Sequence, residues 1–151
     1  MIGLAAIAAM MSGVAAEGRN IVFVAGSFIK KNQRNIVVFD QDSIRKSSPN
    51  RARAWSYHYV PLPTGERMMM ASLDAFDCDL EKTQNINSKF YNFDGTYRSE
   101  KDNDSEKWTY IAPGTIQNLL MELVCGKAPE AKFVIGDVDA LVALRKLSSI
   151  K

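Results

Sequence analysis

A chain of 151 residues, 46% hydrophobic and 24% charged with a formal net charge of +2, has the composition of one globular domain. It is too apolar for a disordered segment, and no repeat or run of about 18 apolar residues supports a fibrous or membrane-spanning chain. The near-neutral balance gives no general mandate for nucleic acid or membrane binding, and without a membrane-length run or a nucleotide-loop motif neither a transmembrane span nor a cofactor is expected.

Residues 1–16 carry no charge, and residues 2–11 form an apolar run too short to span a bilayer. Val14 and Ala16 are the small residues a signal peptidase accepts at its −3 and −1 pockets, so residues 1–16 read as a signal peptide cut before Glu17. No Lys or Arg precedes the run, as a secretory leader should have. The competing reading is an Ala-rich helix that stays attached and packs on the domain. No Cys follows the run, so no lipid anchor is expected. The expected compartment is the periplasm or the exterior, with residues 17–126 as the domain and 127–151 as an extension.

Residues 21–29 (IVFVAGSFI) are β-branched and aromatic and read as a first strand. A polar turn (KKNQRN) leads to a second strand at residues 36–39, punctuated by DQDS at 40–43 and SSPN at 47–50. Residues 51–60 alternate: Arg51, Arg53, Trp55, Tyr57 and Tyr59 share one face, and Ala52, Ala54, Ser56, His58 and Val60 the other. Residues 67–78 and 83–93 are further strands, the second closed by the hairpin pair Asp94-Gly95. A strand restarts at residues 96–98. The charged stretch 99–107 (SEKDNDSEK) is expected to be a mobile loop, and Trp108 begins a short extended segment.

Helical period appears late. Ile116, Leu119, Leu120, Leu123 and Val124 make an apolar stripe, with Thr115 placed to cap its start and Gly126 to end it. Residues 137–147 are expected to form a second short helix capped by Asp137. Several antiparallel strands followed by a helix across one face specify an α+β fold. The two cysteines, Cys78 and Cys125, read as one disulfide if the chain is exported. Closing a loop of 47 positions would stabilise the fold by roughly 4 kcal/mol. The alternative is two buried free thiols. A metal site is disfavoured by a single His and no Cys-x-x-Cys pair.

Val38-Phe39-Asp40-Gln41-Asp42-Ser43-Ile44-Arg45, then Cys78 at a strand end, Trp108 to Ile111, and Ala112-Pro113-Gly114-Thr115 opening a helix that ends Val124-Cys125 together resemble the surface-adhesin protein E family of small exported bacterial proteins. The resemblance spans about residues 21–125. It implies an antiparallel sheet of about six strands, one helix on its concave side and a Cys78–Cys125 tether. It also implies an adhesin-like domain that binds extracellular or envelope protein or polysaccharide and forms a homodimer.

Catalytic chemistry finds little support. His58, the only histidine, lies in an alternating strand without a nucleophile motif nearby. It becomes a catalytic candidate only if it sits in a cleft within hydrogen-bond reach of a carboxylate or hydroxyl. Asp74, Asp77, Asp79 and Glu81 cluster in sequence but lack the spacing of a calcium loop. A periplasmic enzyme or enzyme accessory using His58 and these carboxylates is the rival reading. Met68, Met69 and Met70 alternate faces on a strand, so they suit core packing better than metal binding.

Charge is unevenly spread. Residues 17–60 carry eight Lys or Arg against three acids, and residues 61–110 carry six against ten. Lys30, Lys31, Arg34, Arg45, Lys46, Arg51 and Arg53, with Trp55 and Tyr57, are the candidate binding surface for an acidic protein or polysaccharide. Solvated turns and edge strands that oppose aggregation are the competing reading of the same charges.

Overall fold

The computed structural model describes residues 20–30, 33–103, 107–127 and 134–137, together with 145, 147 and 148. The expected signal peptide and Lys31 lie outside them. Ten elements follow in order: β1 (Asn20–Lys30), β2 (Gln33–Asp40), β3 (Arg45–Ser48), β4 (Arg51–Pro61), β5 (Arg67–Asp77), β6 (Lys82–Asn92), β7 (Tyr97–Asp102), β8 (Thr109–Tyr110), α1 (Ile116–Val124) and β9 (Val134–Asp137). One antiparallel sheet runs β7-β6-β5-β4-β2-β1-β9. The long strands β1, β2, β4, β5, β6 and β7 are the six expected ones, β8 falls in the extended segment expected from Trp108, and β3 and β9 add to them.

Two of the short strands arise where a neighbour is divided in two. β2 covers one half of β4, with Ile36 opposite Tyr59 and Phe39 opposite Ser56. β3 then covers the other half, with Arg45 opposite Arg53. Between them the DQDS segment makes a 3-10 turn. Asp40 accepts the amide of Asp42 at 3.1 Å, and Ser43 Oγ accepts the amide of Trp55 at 2.8 Å. The side chains thus satisfy backbone groups that the broken ladder leaves over. In the same way β7 pairs the later part of β6 and β8 its first two residues.

The sheet buries both faces, unequally. On one face α1 lays Leu120, Met121 and Val124 over Val37, Phe39, Ala52, Ala54, Phe76 and Ile111. The small Ala52 and Ala54 leave room for the helix to approach. On the other face Ile36, Val38, Tyr59 and Met69 form a second cluster, packed by Tyr57, Tyr91, Phe93 and Leu147. Met69 is fully buried there, whereas Met68 and Met70 are half-buried, as alternation requires.

Cys78 and Cys125 form the disulfide, with Cα atoms 5.8 Å apart. Cys78 follows the last residue of β5, and Cys125 is the C-cap of α1. Lys127 Nζ closes the same junction by donating to the Cys78 carbonyl at 2.7 Å. Thr115 caps the helix start by accepting the Asn118 amide at 3.2 Å.

Two local expectations change. The stretch 99–107 is not loop throughout: β7 continues to Asp102, held because Asn87 Nδ2 donates to both Glu100 and Asp102 at 2.6 Å. Cross-strand carboxylate contacts outweigh the low strand propensity of that charged segment. Asp137 ends a strand paired with β1, so the segment after Cys125 contributes an edge to the sheet. Of the helix expected at 137–147, residues 138–144 and 146 lie outside the described residues; Arg145, Leu147 and Ser148 are helical.

Candidate functional site

Strand alternation distributes the candidate residues over two regions with different chemistry. Beneath the helix runs a row of polar side chains. Ser56 Oγ lies 2.9 Å from His58 Nε2, and Ser56 faces Ser72 across β4 and β5. Ser72 Oγ donates to Asp74 at 3.0 Å, and Asn85 Nδ2 donates to Asp74 at 2.9 Å and to Ser72 at 2.7 Å. Ser88 Oγ and Asn103 Nδ2 both donate to Asn85 Oδ1. The groups satisfy one another, as polar atoms in a core must.

Burial governs titration in this row. Loss of hydration lowers the His58 pKa to about 4, so the ring is neutral near pH 7. Burial also raises the Asp74 carboxyl, partly offset by hydrogen bonds from Asn85, Ser72 and Gln117. His58 does reach a hydroxyl, but it stands opposite Met70, while Asp74 stands opposite Ala54. Four residues of strand, about 13 Å, separate the two, so a Ser–His–Asp relay is not assembled.

Of the remaining acids, Asp77 and Asp79 line one recess beside Arg51, at the far end of β4 from His58. Asp77 accepts the Leu80 amide at 3.0 Å, which chiefly lowers its pKa, and pairs with Arg51 Nε at 3.1 Å. Asp79 and Glu81 are exposed in the turn beyond. Among the described residues no group of three or more His, Cys, Asp or Glu side chains is arranged to hold a metal ion.

The opposite, open face carries the basic and aromatic residues. Arg51, Arg53, Trp55 and Tyr57 project there from β4, and Arg45 stands directly across from Arg53. Lys46, opposite Ala52, belongs to the helix face. Lys30 and Arg34 sit in the β1–β2 hairpin, two or more residues beyond the Ile36–Tyr59 pair. Eight residues along β4 separate Tyr59 from Arg51, about 26 Å. The structure therefore splits the nine-residue candidate surface: Arg45, Arg51, Arg53 and Trp55 gather at one end, and Lys30 and Arg34 lie at the other.

Four residues outside the sequence candidates join the first group. Arg51 lies 5.1 Å from the ring centre of Trp108, Lys82 lies 4.5 Å from Tyr110, and Lys89 lies 5.5 Å from Trp55. The signal available in sequence was the Trp108-x-Tyr110 spacing, which puts both rings on one strand face. Lys82 and Lys89 become neighbours of β4 residues only through pairing across β5.

The surface-adhesin protein E family matches residues 27–126. The chain belongs to this family. A crystal structure of protein E from non-typeable Haemophilus influenzae is similar to this one at 15% identity and a TM-score of 0.41, over 85% of this chain and 97% of that one. No curated protein matches. Among the described residues no helix is long and apolar enough to cross a membrane.

Proposed function

We propose that this surface-adhesin family domain is exported, non-catalytic and acts by binding an extracellular or envelope partner through the open end of its sheet. The observation that carries the reading is the gathering of Arg45, Arg51, Arg53, Trp55 and Trp108 on a face that the helix leaves uncovered. Side chains of this kind dominate interface energetics, because they bring large apolar area together with charge. The separation of the half-buried, neutral His58 from the acids supports a binding role over the rival enzymatic one.

The test is retention of the full folded chain on immobilised extracellular matrix. Charge reversal at Arg45, Arg51 and Arg53 together abolishes retention, whereas reversal at Lys30, Lys31 and Arg34 leaves most of it. Retention indifferent to both triple variants overturns the reading. Export is read separately by mass spectrometry of protein from its native cell: a start at Glu17 and a mass two hydrogens below the reduced form place the chain in the periplasm or outside the cell. The reading includes a homodimer, which sedimentation velocity detects directly.

A further inference from the structure

The open end of the sheet contains an arrangement that costs stability in the free protein. Arg45 and Arg53 face each other across β3 and β4, and like charges directly opposite on a sheet are unfavourable. Arg45 directs a guanidinium nitrogen to the Asp42 and Ile44 carbonyls at 2.8 Å. The Arg53 guanidinium has no ion-pair or hydrogen-bond partner among the described residues. Beside them, Arg51 and Lys82 stand on either side of Asp77, with Cα atoms about 10 Å apart across two strand spacings. Each of these two cations rests against an aromatic ring, Trp108 or Tyr110. Tyr110 is 74% exposed.

Resting on deliberate ring contacts, the cations are held at set positions instead of sweeping freely through solvent. Asp77 is engaged by Arg51, Glu100 by Asn87 and Lys89, Asp102 by Asn87, and Asp79, in the recess beside Arg51, by Asn50. What remains unmatched is positive charge around Arg45 and Arg53, flanked by Trp55, Trp108 and Tyr110. An anion between the two arginines would relieve their repulsion, and the adjoining rings offer platforms for the apolar faces of sugar rings.

We infer that this end of the open face binds a linear anionic polysaccharide, of the sulfated or uronate-rich class. Acidic groups lie at the Arg45–Arg53 pair and near Arg51 and Lys82, and sugar rings lie against Trp108 and Tyr110. The inference rests on the proposed binding role and narrows it to one partner chemistry. Acidic polypeptide would use the cations without needing the rings. Single-stranded nucleic acid would use both, but an exported domain does not ordinarily meet it.

The experiment titrates the full chain with a heparin octasaccharide at two salt concentrations, following intrinsic fluorescence, since both tryptophans of the chain lie on this face. Polyglutamate and oligothymidylate of matched charge are the comparison probes. Arg53→Glu and Lys82→Glu each weaken octasaccharide binding about tenfold or more and reduce its salt slope by about one contact. Tyr110→Ser, at a position 74% exposed, weakens it at both salt concentrations. Lys101→Glu, on the other face of the β7 edge, leaves it unchanged.

No octasaccharide binding overturns the inference, and so does an equal effect of Lys101→Glu, which would mean diffuse attraction. Polyglutamate binding as tightly, with no effect of Tyr110→Ser, overturns it in favour of acidic polypeptide. Tighter oligothymidylate binding overturns it in favour of nucleic acid. If glycosidase treatment of the matrix leaves retention intact, the glycan is excluded while the broader binding role stands.

Discussion

His58 shows how burial turns a single residue into a pH dependence. Its ring is held neutral to about pH 4 in the folded chain, while the unfolded chain takes up the proton near pH 6.5. The unfolded state therefore binds more protons between those values, and stability falls as pH drops through that window. The loss attributable to His58 reaches about 3 kcal/mol by pH 4 and is absent above pH 7. Asp77, whose pKa is lowered chiefly by the Leu80 amide, loses its contribution further down as it protonates. Asp74, raised by burial, acts with the opposite sign, because the folded state accepts its proton first. Comparing urea midpoints of the native chain and His58→Gln from pH 7 to pH 4 isolates the imidazole. The variant should lose distinctly less stability over that range, and parallel curves would show that the ring is protonated in the fold. The same residue marks what the sequence conceals. Alternation along β4 put His58 on the face of Ala52 and Ala54, but not that Ser56 would approach its Nε2 or that Asp74 would lie four residues away in register.

At the scale of elements, the helix and its tether were legible because their signals are local. The stripe from Ile116 to Val124, the Thr115 cap and the two cysteines each announce themselves within a few positions. Thr115→Ala removes the side-chain acceptor for the Asn118 amide and should cost about 1 kcal/mol in denaturant unfolding. An unchanged midpoint would mean that solvent caps the helix equally well. Replacing both Cys78 and Cys125 by Ala frees a loop of 47 residues and should cost roughly 4 kcal/mol, a fall in melting temperature of about 10 °C. The strands were less evenly legible. β4 declares itself through strict alternation. Only the start of β7, at residues 96–98, was legible: Glu100, Lys101 and Asp102 suit a solvated segment, and the contacts that order them come from Asn87, thirteen and fifteen residues away. The split binding surface has the same origin: residues close in sequence to the β1–β2 hairpin are carried to the far end of a long sheet.

For the whole molecule, the decisive feature is that the sheet has two faces and the chain covers them by different means. The helix covers one and is fastened there covalently. The other is covered only in part, by Tyr91, Phe93 and Leu147 around Tyr59 and Met69, with Arg145 donating to the Asp94 carbonyl at 3.0 Å. Leu147 lies beyond the family match, which ends at residue 126, and so does β9, which pairs with the first three residues of β1. The segment after Lys127 thus shields both a strand edge and an apolar cluster. A chain ending at Lys127 keeps the helix, the disulfide and the larger core, and it should still fold. It should also expose the β1 edge and the side chains around Met69, which together favour edge pairing between copies. The expected result is increased binding of a hydrophobic dye and a concentration-dependent rise in sedimentation coefficient, with Leu147→Asp reproducing the dye binding but not the association. A truncated chain that sediments like the full one at every concentration and binds no more dye would show that the open face is stable uncovered, and that the tail contributes nothing to its cover.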